Sequence, residues 1–184
     1  MAKQGKRAII VPKGIDVSAK DGCVKITGPS GTLSVNLPDS LSVRIDKEQV
    51  QVGFAGGAKP ENIRGLFRAL INRRVFAVRD GITKKLEIVG VGYQGEVKGK
   101  NLVLKMGFSH PVTLAIPEGI KTKVEKNLIT ISGVDPEKVG EFAAQVRAVR
   151  IPEPYGGKGI RYSGEYVRHK VGKTAGAGTT TTAK

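Results

Sequence analysis

Apolar and polar residues alternate along the first third of the chain in a way that predicts short strands. Val24 and Ile26 alternate with Lys25 and Thr27, Gly28-Pro29-Ser30-Gly31 turns the chain, and Leu33, Val35 and Leu37 resume the alternation. That is a hairpin with one buried face. Leu41, Val43 and Ile45 predict the next strand, Asp46 to Gln49 a turn, and Val50 and Val52 a further strand. A loop holding Gly53, Gly56 and Gly57 leads to Pro60, well suited to the first position of a helix, where a missing N–H costs nothing. Behind it Ile63, Leu66, Phe67, Leu70, Ile71, Val75 and Val78 recur at three- and four-residue steps. One helix face is therefore expected to be apolar over about four turns.

The second half repeats this order. Pro117 lies 79 residues after Pro38, and at that offset Leu33, Val35, Leu37, Leu41, Ile45, Val50 and Val52 match Val112, Leu114, Ile116, Ile120, Val124, Ile129 and Ile131. The next loop is three residues shorter, so Pro60 falls on Pro136. Asp135 then suits the N-cap, with Pro136 at the first helical position and Val139, Phe142, Ala143 and Val146 as the apolar stripe. The fold class expected is α+β: two tandem duplicated domains, each a small, mostly antiparallel sheet arrangement packed with one helix. We assign the first repeat to residues 1–82, the second to 83–162, and a basic then low-complexity tail to 163–184. The final TAGAGTTTTAK has no apolar period and is expected to be disordered.

Charge narrows the class of partner. The 184 residues carry 31 Lys and Arg against 16 Asp and Glu, a formal charge of +15, while 39% are hydrophobic, enough for a real core. A folded, strongly basic chain favours a polyanion, because each neutralised phosphate releases condensed counterions. Nucleic acid leads over an anionic membrane surface, and no apolar run approaches the ~20 residues that span a bilayer. The amino terminus, MAKQGKRAII, is interrupted too early by Pro12 and Lys13 to read as a secretory signal. The single cysteine, Cys23, has no internal disulfide partner and, in its alternating stretch, reads as a small packed residue.

The last third holds the most distinctive stretch, PEPYGGKGIRY from Pro152 to Tyr162. Its prolines disfavour helix, and its glycines let Lys158 and Arg161 lie on a backbone that approaches another surface closely. It reads as an extended basic strap that does not pack on itself. Three of the four tyrosines (Tyr155, Tyr162 and Tyr166) fall in or beside it, and rings among cations suit base stacking and phosphate contact. The competing reading is a solvated charged linker. Arg64, Arg68, Arg73 and Arg74 carry the same ambiguity between a solvated helix face and contact with RNA or a partner.

Catalytic and cofactor motifs fare poorly. Gly90-Val91-Gly92-Tyr93-Gln94-Gly95 matches a dinucleotide fingerprint, but it runs into the alternating pattern of a hairpin and not into the helix whose N-terminus would face a pyrophosphate. Gly172-Lys173-Thr174 lacks the earlier glycine of a phosphate loop, Val167 standing there instead. His110, His169 and Cys23 have no ligand spacing for zinc. Ser109 and His110 are neighbours in one turn, whereas a nucleophile and its base meet across a fold with a third group orienting the base. No enzyme, metal or cofactor is expected, and no small-molecule substrate.

Several phrases together resemble the ribosomal protein L6 family of the large subunit, of the bacterial type, also called uL6. They are IVPKGIDV (Ile10 to Val17), VKITGPSGTL (Val24 to Leu33), LEIVGVGYQGEVKGKNLVLKMGFSHPV (Leu86 to Val112), ISGVDPEKVGEFAAQVRAVR (Ile131 to Arg150) and PEPYGGKGIRY. The resemblance runs from about Gly5 to Lys173. It implies two tandem α+β domains and binding to large-subunit ribosomal RNA, chiefly through the carboxy-terminal domain. The region implied lies near the sarcin-ricin loop, the stalk base and the face where translation factors dock. By that likeness Tyr155, Lys158, Gly159 and Arg161 belong to the RNA-contacting strap, and Ser109 and His110 to a turn on the same side.

With Arg168, Lys170 and Lys173 added from the basic tail, these are the candidate RNA-binding residues. The implied role is architectural, in the large subunit of the cytoplasmic or an equivalent organellar ribosome, beside stalk-base proteins and passing translation factors. The alternative is a general DNA or nucleoid-binding protein. Two departures from the family pattern stand out: Gly156 where lysine is usual, and Arg73-Arg74 in place of a more usual Asn-Met pair.

Overall fold

A computed structural model describes residues 7–20, 22–46, 49–55 and 61–172. Gly56, Gly57 and Pro60 of the loop before the first helix lie outside those residues, as do Lys173 and the threonine-rich end.

The first half forms β1 (Ile9–Ile10), β2 (Asp16–Lys20), β3 (Cys23–Gly28), β4 (Gly31–Asn36), β5 (Leu41–Asp46), β6 (Gln49–Phe54) and α1 (Glu61–Asp80). Two antiparallel three-stranded sheets result, ordered β2-β3-β4 and β1-β6-β5. Their inward positions, Ile9, Val24, Ile26, Val35, Leu41 and Val50, meet Ile71, Val75 and Val78 of α1 in one core. The Gly28–Gly31 turn also caps the end of α1. Ser30 N–H donates to the Val78 carbonyl at 3.0 Å and its hydroxyl to the Arg79 carbonyl at 3.2 Å. These are two of the helix-end carbonyls that lack partners within the helix.

The apolar face of α1 is narrower than its spacing suggests. Leu66, expected on that face, is 56% exposed. Nine residues before Val75 at about 100° per residue, it points roughly half a turn away from the core.

The second half forms β7 (Ile82–Val89), β8 (Gln94–Lys98), β9 (Asn101–Lys105), β10 (Val112–Ala115), β11 (Ile120–Glu125), β12 (Leu128–Gly133), α2 (Pro136–Val149) and β13 (Gly159–Tyr162). Its sheets are ordered β10-β9-β8 and β11-β12-β7-β13. Their core gathers Leu86, Ile88, Leu102, Leu104, Met106, Ile129, Ile131, Phe142, Val146 and Ile160. Asp135 caps α2, its carboxylate accepting the Glu137 N–H at 3.0 Å.

The duplication extends to strand register. Ile45 pairs with Val50, and Val124 with Ile129. Ile26 pairs with Leu33, and Leu104 with Val112. The partners Val50 and Leu33 thus correspond to Ile129 and Val112 at the same 79-residue offset. The chain is therefore α+β and built by repetition. The two halves touch where Arg74 Nη2 meets Glu137 Oε1 at 2.8 Å and where Val134 packs on the first core.

One element of the second half has no counterpart among the described residues of the first: β13. It lies beside β7, with Ile160 opposite Ile88. The reading of residues 152–162 as one extended strap that does not pack on itself is thereby corrected: its second half is a sheet strand, and its first half closes on itself through the Glu153–Lys158 backbone bond. Gly-Ile-Arg-Tyr alternates: Ile160 is fully buried, and Tyr162, two residues on, packs against the same core. Only the Pro152–Lys158 half of the stretch stays outside the sheet.

Candidate nucleic-acid interface

The exposed half of the strap is a closed loop. Glu153 N–H donates to the Lys158 carbonyl at 3.0 Å, and Gly157 N–H to the Glu153 carbonyl at 3.1 Å. Tyr155, 62% exposed, and Lys158 project from it. Gly159 closes the loop from inside, with φ at +146°, and a Cβ there would lie 2.8 Å from both the Arg150 carbonyl and Pro152. It is buried, so its part is to let the strap cross the end of α2.

After β13 the chain reverses. Ser163 N–H donates to the Lys85 carbonyl at 2.9 Å and its hydroxyl to Glu87 Oε1 at 2.8 Å. Glu165 accepts from Tyr162 N–H at 2.9 Å and from Arg147 Nε–H at 3.0 Å. The segment beyond then runs back beside the loop, where Lys170 N–H donates to the Pro154 carbonyl at 2.8 Å and the His169 ring lies against Gly157. The backbone that bears Arg168 and Lys170 is thus brought alongside the loop that bears Tyr155 and Lys158.

Electrostatics separates these cations into two groups. Arg161 donates from Nε to Glu87 Oε2 at 3.2 Å, and Arg147 is held by Glu165. Hydrogen bonds from Ser163 and then Arg161 hold the Glu87 carboxyl below its ordinary 4.5, against a desolvation penalty. The Arg147 guanidinium, with the Tyr162 N–H, holds Glu165 below the same value. Lys158, Arg168 and Lys170 lie outside every ion pair formed among the described residues. Charge already matched by a carboxylate gives little to a phosphate, so these three are the available ones.

Two turns from the other sheet stand next to the strap. In the first, Tyr93 packs so tightly on Gly90 that a Cβ at that glycine would sit 2.6 Å from the ring, and Val91 at the tip is 95% exposed. In the second, Ser109 Oγ and His110 Nδ1 are 3.4 Å apart, both side chains facing solvent. Arg150 joins turns and strap. Its guanidinium carbon is 5.9 Å from the Tyr93 ring centre and 5.2 Å from that of Phe108, while its carbonyl accepts the Ile160 N–H at 2.8 Å.

Sequence reasoning misses Arg150, Tyr93 and Phe108 as parts of this surface. The available signal is an arginine two residues before the strap and an aromatic residue in each glycine-containing turn. The Gly90–Gly95 stretch leads into the β8–β9 hairpin, so no helix N-terminus faces those glycines. Among the described residues there is no cluster of three or more His, Cys, Asp or Glu side chains suited to a metal, and no helix long and apolar enough to cross a membrane.

A profile of the family described as Ribosomal protein L6 matches residues 89–163, which take in both turns, α2 and the strap. The large ribosomal subunit protein uL6 of Protochlamydia amoebophila is 48% identical over 177 residues, covering 95% of this chain and 98% of that protein. The chain belongs to the ribosomal protein L6 family. The uL6 proteins of Thermosynechococcus vestitus and Syntrophobacter fumaroxidans are 45% and 42% identical, each aligned over 95% of this chain and 98% of its own length. Membership in the L6 family thus covers both repeats.

Proposed function

We propose that this chain is a structural constituent of the large ribosomal subunit that binds large-subunit ribosomal RNA near the sarcin-ricin loop and the stalk base. It catalyses no reaction. Its neighbours are stalk-base proteins and, transiently, translation factors, and its location is that of the ribosome, in the cytoplasm or an equivalent organelle. The observation that carries this reading is the hydrogen bond from Lys170 N–H to the Pro154 carbonyl, which lays the tail bearing Arg168 and Lys170 along the loop bearing Lys158 and the exposed Tyr155, the three cations having no carboxylate partner among the described residues.

The interface works by shape and charge. The unpaired cations neutralise phosphates, the tyrosine packs on a sugar or base, and Ser109 and His110 supply short donors from the adjacent turn. Lys173 extends the same basic run. Gly159 and Arg161 serve from behind: the glycine permits the crossing, and the arginine, tied to Glu87, holds β13 in place.

Binding to an RNA fragment carrying the sarcin-ricin loop, challenged with bulk duplex DNA, tests the reading. Affinity that falls about a thousandfold between about 50 and 200 mM salt, with some six phosphates contacted, and that survives DNA competition supports it. Equal displacement by any duplex would favour a general DNA-binding protein.

A further inference from the structure

Three arginines lie in or beside the strap, and they differ in what satisfies them. Arg147 is engaged by Glu165 and Arg161 by Glu87. Arg150 has no carboxylate within ion-pair distance among the described residues. Its neighbours are instead two aromatic rings, Tyr93 and Phe108.

A guanidinium attracted to aromatic rings is held through its charge and flat faces, while its five N–H donors lie in its own plane. The fork that matches two oxygens of a phosphate therefore stays available. Its surroundings are ordered as well: the backbone carbonyl is bound by Ile160 N–H, and the Tyr93 ring beside the guanidinium is packed against Gly90 and Gly107. Two rings that hold the guanidinium reduce the side-chain freedom lost on contact, which favours a defined partner over a diffuse ion cloud.

We infer that Arg150 is a phosphate-binding residue of the interface, its fork taking two oxygens of one RNA phosphodiester between the Phe108 turn and the strap. The inference rests on the proposed RNA-binding function and adds to it a residue and the chemistry it recognises. Phe108, 42% exposed, has a positioning role through Arg150.

The test uses the full chain and the same RNA fragment, with affinity measured across a salt series. Arg150→Ala is expected to weaken binding by about tenfold and to reduce the slope of log affinity against log salt by roughly 0.7 to 0.9, the share of one phosphate. Arg150→Lys keeps the charge and loses the fork, so the slope should stay at the native value while affinity falls several-fold. Phe108→Ala should behave like Arg150→Lys, and both keep the test open if the alanine variant of Arg150 folds poorly. Native affinity and slope in Arg150→Ala would overturn the inference while leaving RNA binding intact. A weaker alanine variant with an unchanged slope would overturn it too, making Arg150 a packing residue. Failure of the native chain to bind the RNA at all would instead sink the functional reading itself.

Discussion

The carboxylate of Glu165 accepts the Nε–H of Arg147 at 3.0 Å, fastening the turn after β13 to the last turn of α2. Because the same carboxylate also accepts the Tyr162 N–H, this pair sets the direction in which the basic tail leaves the sheet.

Loss of that carboxylate should loosen the tail. Glu165→Gln is expected to cost about 1.5–3 kcal/mol, the scale of a hydrogen bond to a charged group, and to weaken RNA binding because Arg168 and Lys170 lose their place beside the strap. Denaturant melts of both proteins at neutral pH, with RNA titrations alongside, check it.

Acid should act on the same contacts. Folding lowers the proton affinity of Glu165 and Glu87, so below neutrality the unfolded chain binds more protons than the folded one. The stabilisation they give is complete above the ordinary carboxylate value of 4.5 and is lost as pH falls through the lowered folded values. A melting temperature that is flat between about pH 7 and 5.5 and then drops is expected, with a shallower drop in Glu165→Gln.

Ile160 and Gly159 test whether the strap depends on its strand. Ile160→Ala empties a fully buried position and should cost about 2–5 kcal/mol. Gly159→Ala sets a Cβ against the Arg150 carbonyl and should lift the strap from α2, reducing RNA affinity even under conditions where the protein remains folded. Thermal unfolding and RNA titration together separate the two effects.

Gly156 offers a gain. A side chain there would meet first the carboxylate end of Glu153, a flexible group free to swing aside. Gly156→Lys should leave stability within about 0.5 kcal/mol. It should steepen the salt dependence of RNA binding by roughly 0.7 to 0.9. An unchanged slope would mean that this corner of the loop faces away from RNA.

How far the sequence can be read depends on how far apart the interacting residues lie. Hairpins, the capped α2 and the hairpin after Gly95 are legible because alternation, turn glycines and prolines act within a few residues. The duplication is legible because its 79-residue offset repeats a whole ladder of positions. Arg161 reads as a free cation because its partner Glu87 is 74 residues away. Ile160 escapes notice because one buried side chain among glycines and cations makes no pattern. Arg74 stays ambiguous in the sequence because its partner Glu137 lies 63 residues on.

In the proposed function the strap and tail hold folded RNA through cations that pair with no carboxylate among the described residues. The most direct measurement is the salt dependence of binding to the sarcin-ricin fragment by the native chain and by a Lys158→Ala, Arg168→Ala, Lys170→Ala variant. The variant is expected to fold normally, to bind far more weakly and to show a slope smaller by roughly 2 to 3. A variant that binds the fragment with native affinity and native slope would contradict it.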